Sequence, residues 1–377
     1  MRVAVEVEDA LWAAAARCLP ADLLRPARLA EAVMARTRRY TSERDRLGER
    51  LEGEVADADL AARAVFFAVT DAAKIQLPLA ELARRDLLPA ARPLRVMDLG
   101  AGAGAMTLGL AWFLARADRP LDLEVHAIDR DAGALAILRD AAGELARALG
   151  GSIRVETQVG DVRRCEPDSS DLVLAGGLLN ELAESDRAPL LERALAALTP
   201  GGALIAVEPA LRETSRALHR VRDLLLARGA AHAFAPCTRA GSCPALADER
   251  DWCHEDRPLV LAPRSAQLAA ATGLRDTGIK FSYLVLRRDP APLVAAPAGR
   301  VALRIISEPH KAKGRRELVA CGPAGWSRLR LLKRHRSDSN RPFERARRGD
   351  VLLIRESDES DLGPDDPVLV TSTSDRS

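Results

Sequence analysis

Through the first 92 residues, aliphatic side chains recur at spacings of three and four in the segments 10–19, 23–39 and 56–75, without the alternation of a half-buried strand. Pro20, Pro26 and Pro78 punctuate these runs. The pattern predicts an N-terminal helical domain over residues 1–92. It reads either as a packing cap on the adjoining domain or, through Arg36, Arg38 and Arg39, as a nucleic-acid contact. From Pro93 the period changes. Short apolar runs at 94–99, 123–128, 153–159, 171–175 and 203–207 alternate with helical stretches such as 106–115 and 132–149. Such alternation predicts a parallel, doubly wound α/β core over residues 93–297, with 280–287 as its far strand. Beyond residue 298 the helical period fades. Runs at 301–306, 317–321, 327–332 and 351–354 predict a small β domain over residues 298–355. Residues 356–377 are acidic and rich in Ser, Asp and Thr, and are expected to be disordered.

Composition narrows the class. Of 377 residues 47% are hydrophobic and 29% charged, which excludes a disordered chain. The apolar run 172–179 is far short of the roughly 20 residues that cross a bilayer. No basic start and apolar stretch of a secretory signal opens the chain. The expectation is a cytoplasmic monomer with no membrane partner. A net charge of +2 conceals an asymmetry: residues 300–348 carry fifteen Lys or Arg against four acids, a local +11, and residues from 349 onward carry −6. The basic segment suits a polyanion and the tail does not.

The first chemical signal is the loop after the first core strand. Asp98, Gly100, Ala101, Gly102 and Gly104 place alternate glycines at the carboxyl end of that strand, where open α/β sheets bind ligands and a bare backbone can approach them closely. Asp129 ends the second strand, where a carboxylate can accept both ribose hydroxyls. Asp161 ends the third, beside Val162, where adenine would lie. Dinucleotide folds usually show G-x-G-x-x-G. Here the G-x-G-x-G spacing and leading Asp98 resemble motif I of class I S-adenosylmethionine-dependent methyltransferases. An acid there disfavours pyrophosphate and suits the cationic methionine amine. S-adenosylmethionine is the expected cofactor, with a nicotinamide dinucleotide or an empty, degenerate site as alternatives. Asn180 and Glu181 follow the fourth strand, in the loop that faces the transferring methyl group in methyltransferases. They are the candidate catalytic residues, as groups that orient a nucleophile. The alternative is that they cap the next helix.

The second signal is the set Cys237, Cys243, Cys253 and Cys321. Six cysteines in an intracellular chain do not read as a disulfide framework. The first three lie in a Pro- and charge-rich insertion, residues 232–262, at spacings C-x5-C and C-x9-C. Close C-x2-4-C zinc pairs are absent. Four widely spaced thiolates fit an iron–sulfur cluster better, with zinc and unligated thiols as alternatives and His232 and His254 as substitute ligands. Cys18 and Cys165 read as ordinary buried residues.

Taken in order, motif I at 98–104, Leu179-Asn180-Glu181-Leu182, Glu208-Pro209, the cysteine insertion with Asp251-Trp252-Cys253-His254, and Lys280-Phe281-Ser282-Tyr283 resemble the methyltransferase-like small-ribosomal-subunit assembly family. Arg304-Ile305-Ile306, Pro309-His310, Lys313-Gly314, Glu317-Leu318, Cys321 and 346–350 continue the resemblance. It implies a Rossmann-like class I methyltransferase core able to hold S-adenosylmethionine, a 4Fe-4S cluster on cysteines 237, 243, 253 and 321, and binding to the small ribosomal subunit and its rRNA. Two functions are compatible with it: an S-adenosylmethionine-dependent methyltransferase acting in small-subunit maturation, or a non-catalytic assembly factor that keeps the methyltransferase fold as an RNA-binding scaffold.

Overall fold

Strands and helices alternate along the middle of the chain as the apolar periods predict, in a computed structural model that describes residues 1–47, 49, 51–274, 278–356 and 360–372. Two units result. One comprises Met1–Leu79, Pro89–Val207 and Arg257–Ile279; the other comprises Ala80–Leu88, Glu208–Asp256 and Lys280–Ser377. The boundaries expected at residues 92 and 297 are therefore not those of the contacts: the N-terminal helices share a unit with the sheet, and the cysteine insertion shares one with the C-terminal strands.

In the first unit, β1 (Leu94–Leu99), β2 (Asp122–Asp129), β3 (Ser152–Val159), β4 (Ser170–Gly176) and β5 (Leu198–Pro209) pair in parallel in the order β3-β2-β1-β4-β5. The order runs away from β1 in both directions, so the carboxyl ends of β1 and β4 meet at a topological switch point, the usual ligand position of such sheets. Residues of β4 are buried through Ala175. Its apolar run reads continuously because a parallel strand is covered on both faces. Helix Val5–Cys18 packs along helix Ala132–Leu149, and Arg17 pairs there with Asp140 at 3.3 Å and Glu144 at 2.9 Å. Buried Glu8 accepts from the backbone N–H groups of Arg264 and Ser265 at the start of helix Pro263–Thr272, satisfying donors that a helix leaves open. The expected helix over 56–75 is interrupted: after Gly53–Ala62 the chain widens into a π-helical segment, Arg63–Ala68, a local irregularity that often marks functional sites.

In the second unit, β6 (His232–Ala235) and β7 (Glu255–Arg257) both pair with β8 (Ile279–Arg287). A seven-stranded sheet is built from β9 (Arg300–Ile305), β10 (His310–Ala312), β11 (Arg315–Gly322), β12 (Gly325–Leu332), β13 (Val351–Arg355), β14 (Asp361–Leu362) and β15 (Leu369–Thr371), in the order β14-β12-β11-β9-β13-β15 with β10 on β11. Its core gathers Ile305, Leu318, Leu329, Leu331, Phe343 and Leu352. The acidic tail departs from the expectation of disorder. Residues 360–372 supply β14 and β15, and Leu362 and Val368 join that core. Two apolar side chains with backbone pairing outweigh the local acidity. Residues 357–359 and 373–377 of that expectation lie outside the described residues. Among the described residues, no helix is long and apolar enough to cross a membrane.

Candidate cofactor site and cysteine pocket

In the first unit, the glycine loop is sewn to the end of β2. Gly100 and Ala101 donate to the Ile128 carbonyl at 2.8 and 3.1 Å, and Gly102 donates to Asp129 Oδ2 at 2.8 Å. Asp131 donates its N–H to Asp129 Oδ1 at 2.9 Å. Each carboxylate oxygen retains further acceptor capacity, since it can accept about two hydrogen bonds. Asp98 is buried at the loop's start, where Thr107 Oγ1 donates to its Oδ2 at 2.6 Å. Burial pushes its pKa up to about 7, against the hydrogen bond from Thr107. Its Oδ1 is buried without a hydrogen-bond partner. Gly100, Gly102 and Gly104 all have left-handed backbone, and the space in front of Gly102 is open: a Cβ built there meets nothing within 4 Å. An open backbone cradle beside an orphaned carboxylate oxygen and an engaged Asp129 fits a cationic, ribose-bearing ligand.

The other sequence candidates sit around the same strand ends. Gly160 donates to the Asp129 carbonyl at 2.9 Å, bringing the end of β3 to that of β2. Asp161 follows, and its carboxylate is clasped by Arg163 Nε at 2.9 Å and Nη2 at 2.5 Å, which holds its pKa down to about 2. Val162 is buried beside it. After β4, the side chain of Leu178 lies against Gly100, so the two loops touch. Asn180 donates to the Gly177 carbonyl at 2.6 Å and accepts from Arg44 at 3.2 Å. Glu181 lies 3.3 Å from Arg130 and 4.0 Å from Arg36. Desolvation pushes its pKa up in spite of both guanidinium groups. Neither residue caps the next helix, Glu184–Ala196, whose N-cap is Ala183.

Sequence reasoning missed the groups that surround Asn180 and Glu181. Arg36 lies 4.3 Å over the Tyr40 ring and donates to Asp59 at 3.3 Å; Arg63 donates to Asp59 at 2.9 Å and pairs with Asp131. The available signal was local: Arg36 and Tyr40, like Asp59 and Arg63, stand four apart, the spacing that brings helical side chains together, while Arg44 follows after the first pair's helix has ended at Thr41. As a nucleic-acid patch, the Arg36, Arg38, Arg39 cluster fails, because Arg36 and Arg39 are buried and Arg39 donates to the carbonyls of Arg46 and Glu49.

In the second unit, Cys237, Cys243, Cys253 and Cys321 line one pocket, together with His254 and Arg222. His232 stands exposed on β6 and is not in its lining. Two arginines of helix Arg212–Ala227 shape the insertion. Arg222, fully buried, donates to the carbonyls of Arg239 at 2.5 Å and Gly241 at 2.6 Å, and Arg216 donates to those of Ala245, Asp248 and Asp251 at 2.6–2.7 Å. Asp223 accepts the Cys243 N–H at 2.9 Å, Ser282 donates to the Cys253 carbonyl at 2.8 Å, and Thr238 donates to the Cys321 carbonyl at 3.0 Å. Three of the four cysteine backbones are thus pinned by protein groups. Burial lifts the Cys243 thiol to about 11 and Cys321 to about 12, with neighbouring thiols adding to the shift. Among the described residues no group of three or more His, Cys, Asp or Glu is spaced to hold a metal ion. The structure therefore brings the four thiols to one pocket without a formed coordination shell. Cys18 is exposed rather than buried, and Cys165 is partly exposed.

The basic segment divides between the two faces of its strands. Arg315, Arg328 and Arg330 are on the exposed face of the β11–β12 hairpin, where Arg315 meets Glu317 at 2.7 Å and Arg330 meets Asp361 at 2.6 Å. Arg316 points the other way, is buried and donates to the Ala346 carbonyl at 2.7 Å. Consecutive strand residues face opposite sides.

Residues 59–352 match the family model described as mitochondrial small ribosomal subunit Rsm22. The chain belongs to this family. The Rsm22 match spans the glycine loop, Asp129, Asp161, Asn180, Glu181 and all four pocket cysteines, and leaves out Arg36, Tyr40 and Arg44. No curated protein matches this Rsm22-family chain. Similar solved structures include magnesium protoporphyrin IX methyltransferase from Synechocystis PCC 6803 with bound SAM (11% identity, 68% of this chain and 97% of that one, TM-score 0.36). A putative sarcosine dimethylglycine methyltransferase from Galdieria sulphuraria is 14% identical over 58% of this chain and 86% of that one, at a TM-score of 0.34. A putative O-methyltransferase from Nostoc punctiforme PCC 73102 is 21% identical over 47% of this chain and 50% of that one, at a TM-score of 0.32. The parallel β3-β2-β1-β4-β5 sheet gives the first unit a Rossmann-like, doubly wound fold.

Proposed function

We propose that this chain is an S-adenosylmethionine-binding, methyltransferase-like protein that acts on the small ribosomal subunit through its rRNA and carries an iron–sulfur cluster on Cys237, Cys243, Cys253 and Cys321. The observation that carries the reading is the Rsm22 match across both the glycine loop and the cysteine pocket. Asp129 accepts the ribose hydroxyls, the open backbone at Gly102 admits the ligand, and Asp98 receives the methionine amine directly or through a water. Bound S-adenosylmethionine supplies a sulfonium methyl group for in-line transfer to a nucleophile. Asn180 and Glu181 orient that nucleophile, and positioning of this kind supplies much of the rate. Removing Asp129 is expected to weaken the cofactor by about 1.5–3 kcal/mol, the range for charge-assisted hydrogen bonds. Titration calorimetry of Asp129→Ala tests this, and unchanged affinity overturns the ribose assignment.

The cysteine set suits a thiolate-ligated 4Fe-4S cluster by donor chemistry, four soft thiols in one pocket beside the cationic Arg222, with zinc as the alternative. Protein purified without oxygen is expected to be brown, with about four iron atoms per chain on that cluster type. Cys243→Ser is expected to bleach it. Colourless protein with stoichiometric zinc overturns the cluster and keeps the site.

One observation favours the non-catalytic reading: both candidate nucleophile-orienting side chains are engaged by protein groups, Asn180 by Arg44 and Gly177, Glu181 by Arg130. Incubating the purified protein and radiolabelled S-adenosylmethionine with immature small subunits separates the two. Label in rRNA or ribosomal protein supports the enzyme; cofactor binding without label supports the scaffold.

A further inference from the structure

Aromatic residues are scarce, 3% of the chain with four tryptophans in all, so two exposed indoles in the second unit stand out. Trp252 is 38% exposed and Trp326 is 37% exposed. Trp252 stacks on His254, with ring centroids 5.6 Å apart and planes at 18°. His254 and Trp326 line the same cysteine pocket, although 71 residues of sequence separate Trp326 from His254 in chain order. Trp326 reaches it because the β11–β12 register sets it opposite Cys321. Arg239 and Arg348 line the pocket as well. Arg348 donates to the His254 carbonyl at 3.0 Å and is paired with Glu308 at 3.2 Å, and Arg239 lies against the same hairpin, with its Nη1 3.3 Å from where a Gly325 Cβ would stand.

Resting on the RNA reading above, we infer that the rim formed by Trp326 and the Trp252–His254 stack is a platform for unpaired RNA bases, with Arg239 placed for an adjoining phosphate. The chemistry favours nucleic acid over an apolar peptide. Flat π faces flanked by guanidinium groups bind bases by stacking, whatever their sequence, whereas an apolar peptide would call for an aliphatic groove. Base-paired RNA has its bases stacked already and cannot present them to an indole, so the platform selects single-stranded loops and ends. The local excess of +11 over residues 300–348 supplies the attraction for the strand. The residues beside the cysteines then do more than line the pocket, because Trp326 stands opposite Cys321 and Trp252, next to Cys253, stacks on the pocket-lining His254.

The test uses the full-length protein and two probes, a 12-nucleotide single-stranded RNA and a blunt duplex of the same sequence, read by fluorescence anisotropy across salt concentrations. Wild type is expected to prefer the single strand. Trp252→Ala and Trp326→Ala are each expected to weaken it by roughly 5- to 100-fold, the effect of losing one stacked base, with the salt slope unchanged. Trp→Phe at either position should recover most of the loss, and matching thermal midpoints would show that the variants fold. Arg328→Glu, on the exposed hairpin face, is expected to flatten the salt slope instead. If wild type binds RNA and both alanine variants match it within twofold, or if duplex binds as well as single strand, the platform is wrong while the RNA reading stands. If wild type binds neither probe, both fall.

Discussion

Replacing Arg304 by leucine is expected to lower the stability of the second unit by about 3–5 kcal/mol, the penalty for leaving buried charge without its partner. Arg304 on β9 donates to Glu81 Oε1 at 2.6 Å, to Glu255 Oε1 at 2.8 Å and to the Tyr283 hydroxyl at 3.1 Å; Tyr283 in turn donates to Glu81 Oε2 at 2.7 Å. All four residues are buried. One guanidinium therefore serves two carboxylates, and leucine would leave them facing each other in a medium of low polarity. Burial already pushes Glu81 upward with Arg304 in place. Without Arg304, Glu81 should titrate higher still. A carboxyl whose folded pKa is raised adds stability below its unfolded pKa and loses it as pH rises, so the defect should shrink on acidification and grow toward neutrality. Urea unfolding between pH 5 and 8 measures this. Adding Glu81→Gln and Glu255→Gln to Arg304→Leu should recover part of the loss, because neutral amides cost less to bury than ions. A loss under about 1 kcal/mol at pH 7 would mean that water reaches the cluster.

That cluster marks the limit of what the chain discloses before folding. β1 was legible to the residue, because a short apolar run ending in alternating glycines is a local signal. So was the loop itself, whose left-handed backbone demands glycine. The four pocket cysteines were legible as a set by residue type and scarcity. By contrast, Glu81 and Arg304 are 223 positions apart, and nothing in their neighbourhoods announces a pairing that only tertiary contact creates. The same holds for Arg44 and Asn180, 136 positions apart. Arg316 escaped the charge count for another reason. The local +11 weighs every basic residue of the segment alike, but strand alternation splits neighbours between faces, and the aliphatic stem of arginine lets a charged residue enter a core when a carbonyl meets its head. The tail was misread because composition weighs every residue equally, while Leu362 and Val368 suffice to anchor β14 and the approach to β15.

The glycine loop offers a sharper division between folding and binding. Gly104→Ala is expected to destabilise the first unit by about 2–5 kcal/mol, from two sources that add: roughly 1–2 kcal/mol for an L-residue in the left-handed region and about 1–3 kcal/mol for overpacking. Gly104 has φ +91°, and a Cβ there would stand 2.2 Å from Leu138 Cδ1 and 3.1 Å from its Cγ. Leu138 is fully buried in helix Ala132–Leu149 and has little room to withdraw. Adding Leu138→Ala should remove the clash but not the backbone strain, and it opens a cavity of its own, so rescue should be incomplete. Gly102→Ala is the contrast. Its φ is +51°, yet no atom lies within 4 Å of the new methyl group. Its stability cost should stay near the backbone share, about 1–2 kcal/mol. If the loop is the cofactor cradle, that methyl group enters the space a ligand needs, and S-adenosylmethionine affinity should fall at least tenfold in a protein that is still folded. Thermal unfolding and titration calorimetry on the two variants decide. A Gly102→Ala protein that binds the cofactor as wild type does would place the ligand elsewhere and leave the glycines a purely structural role.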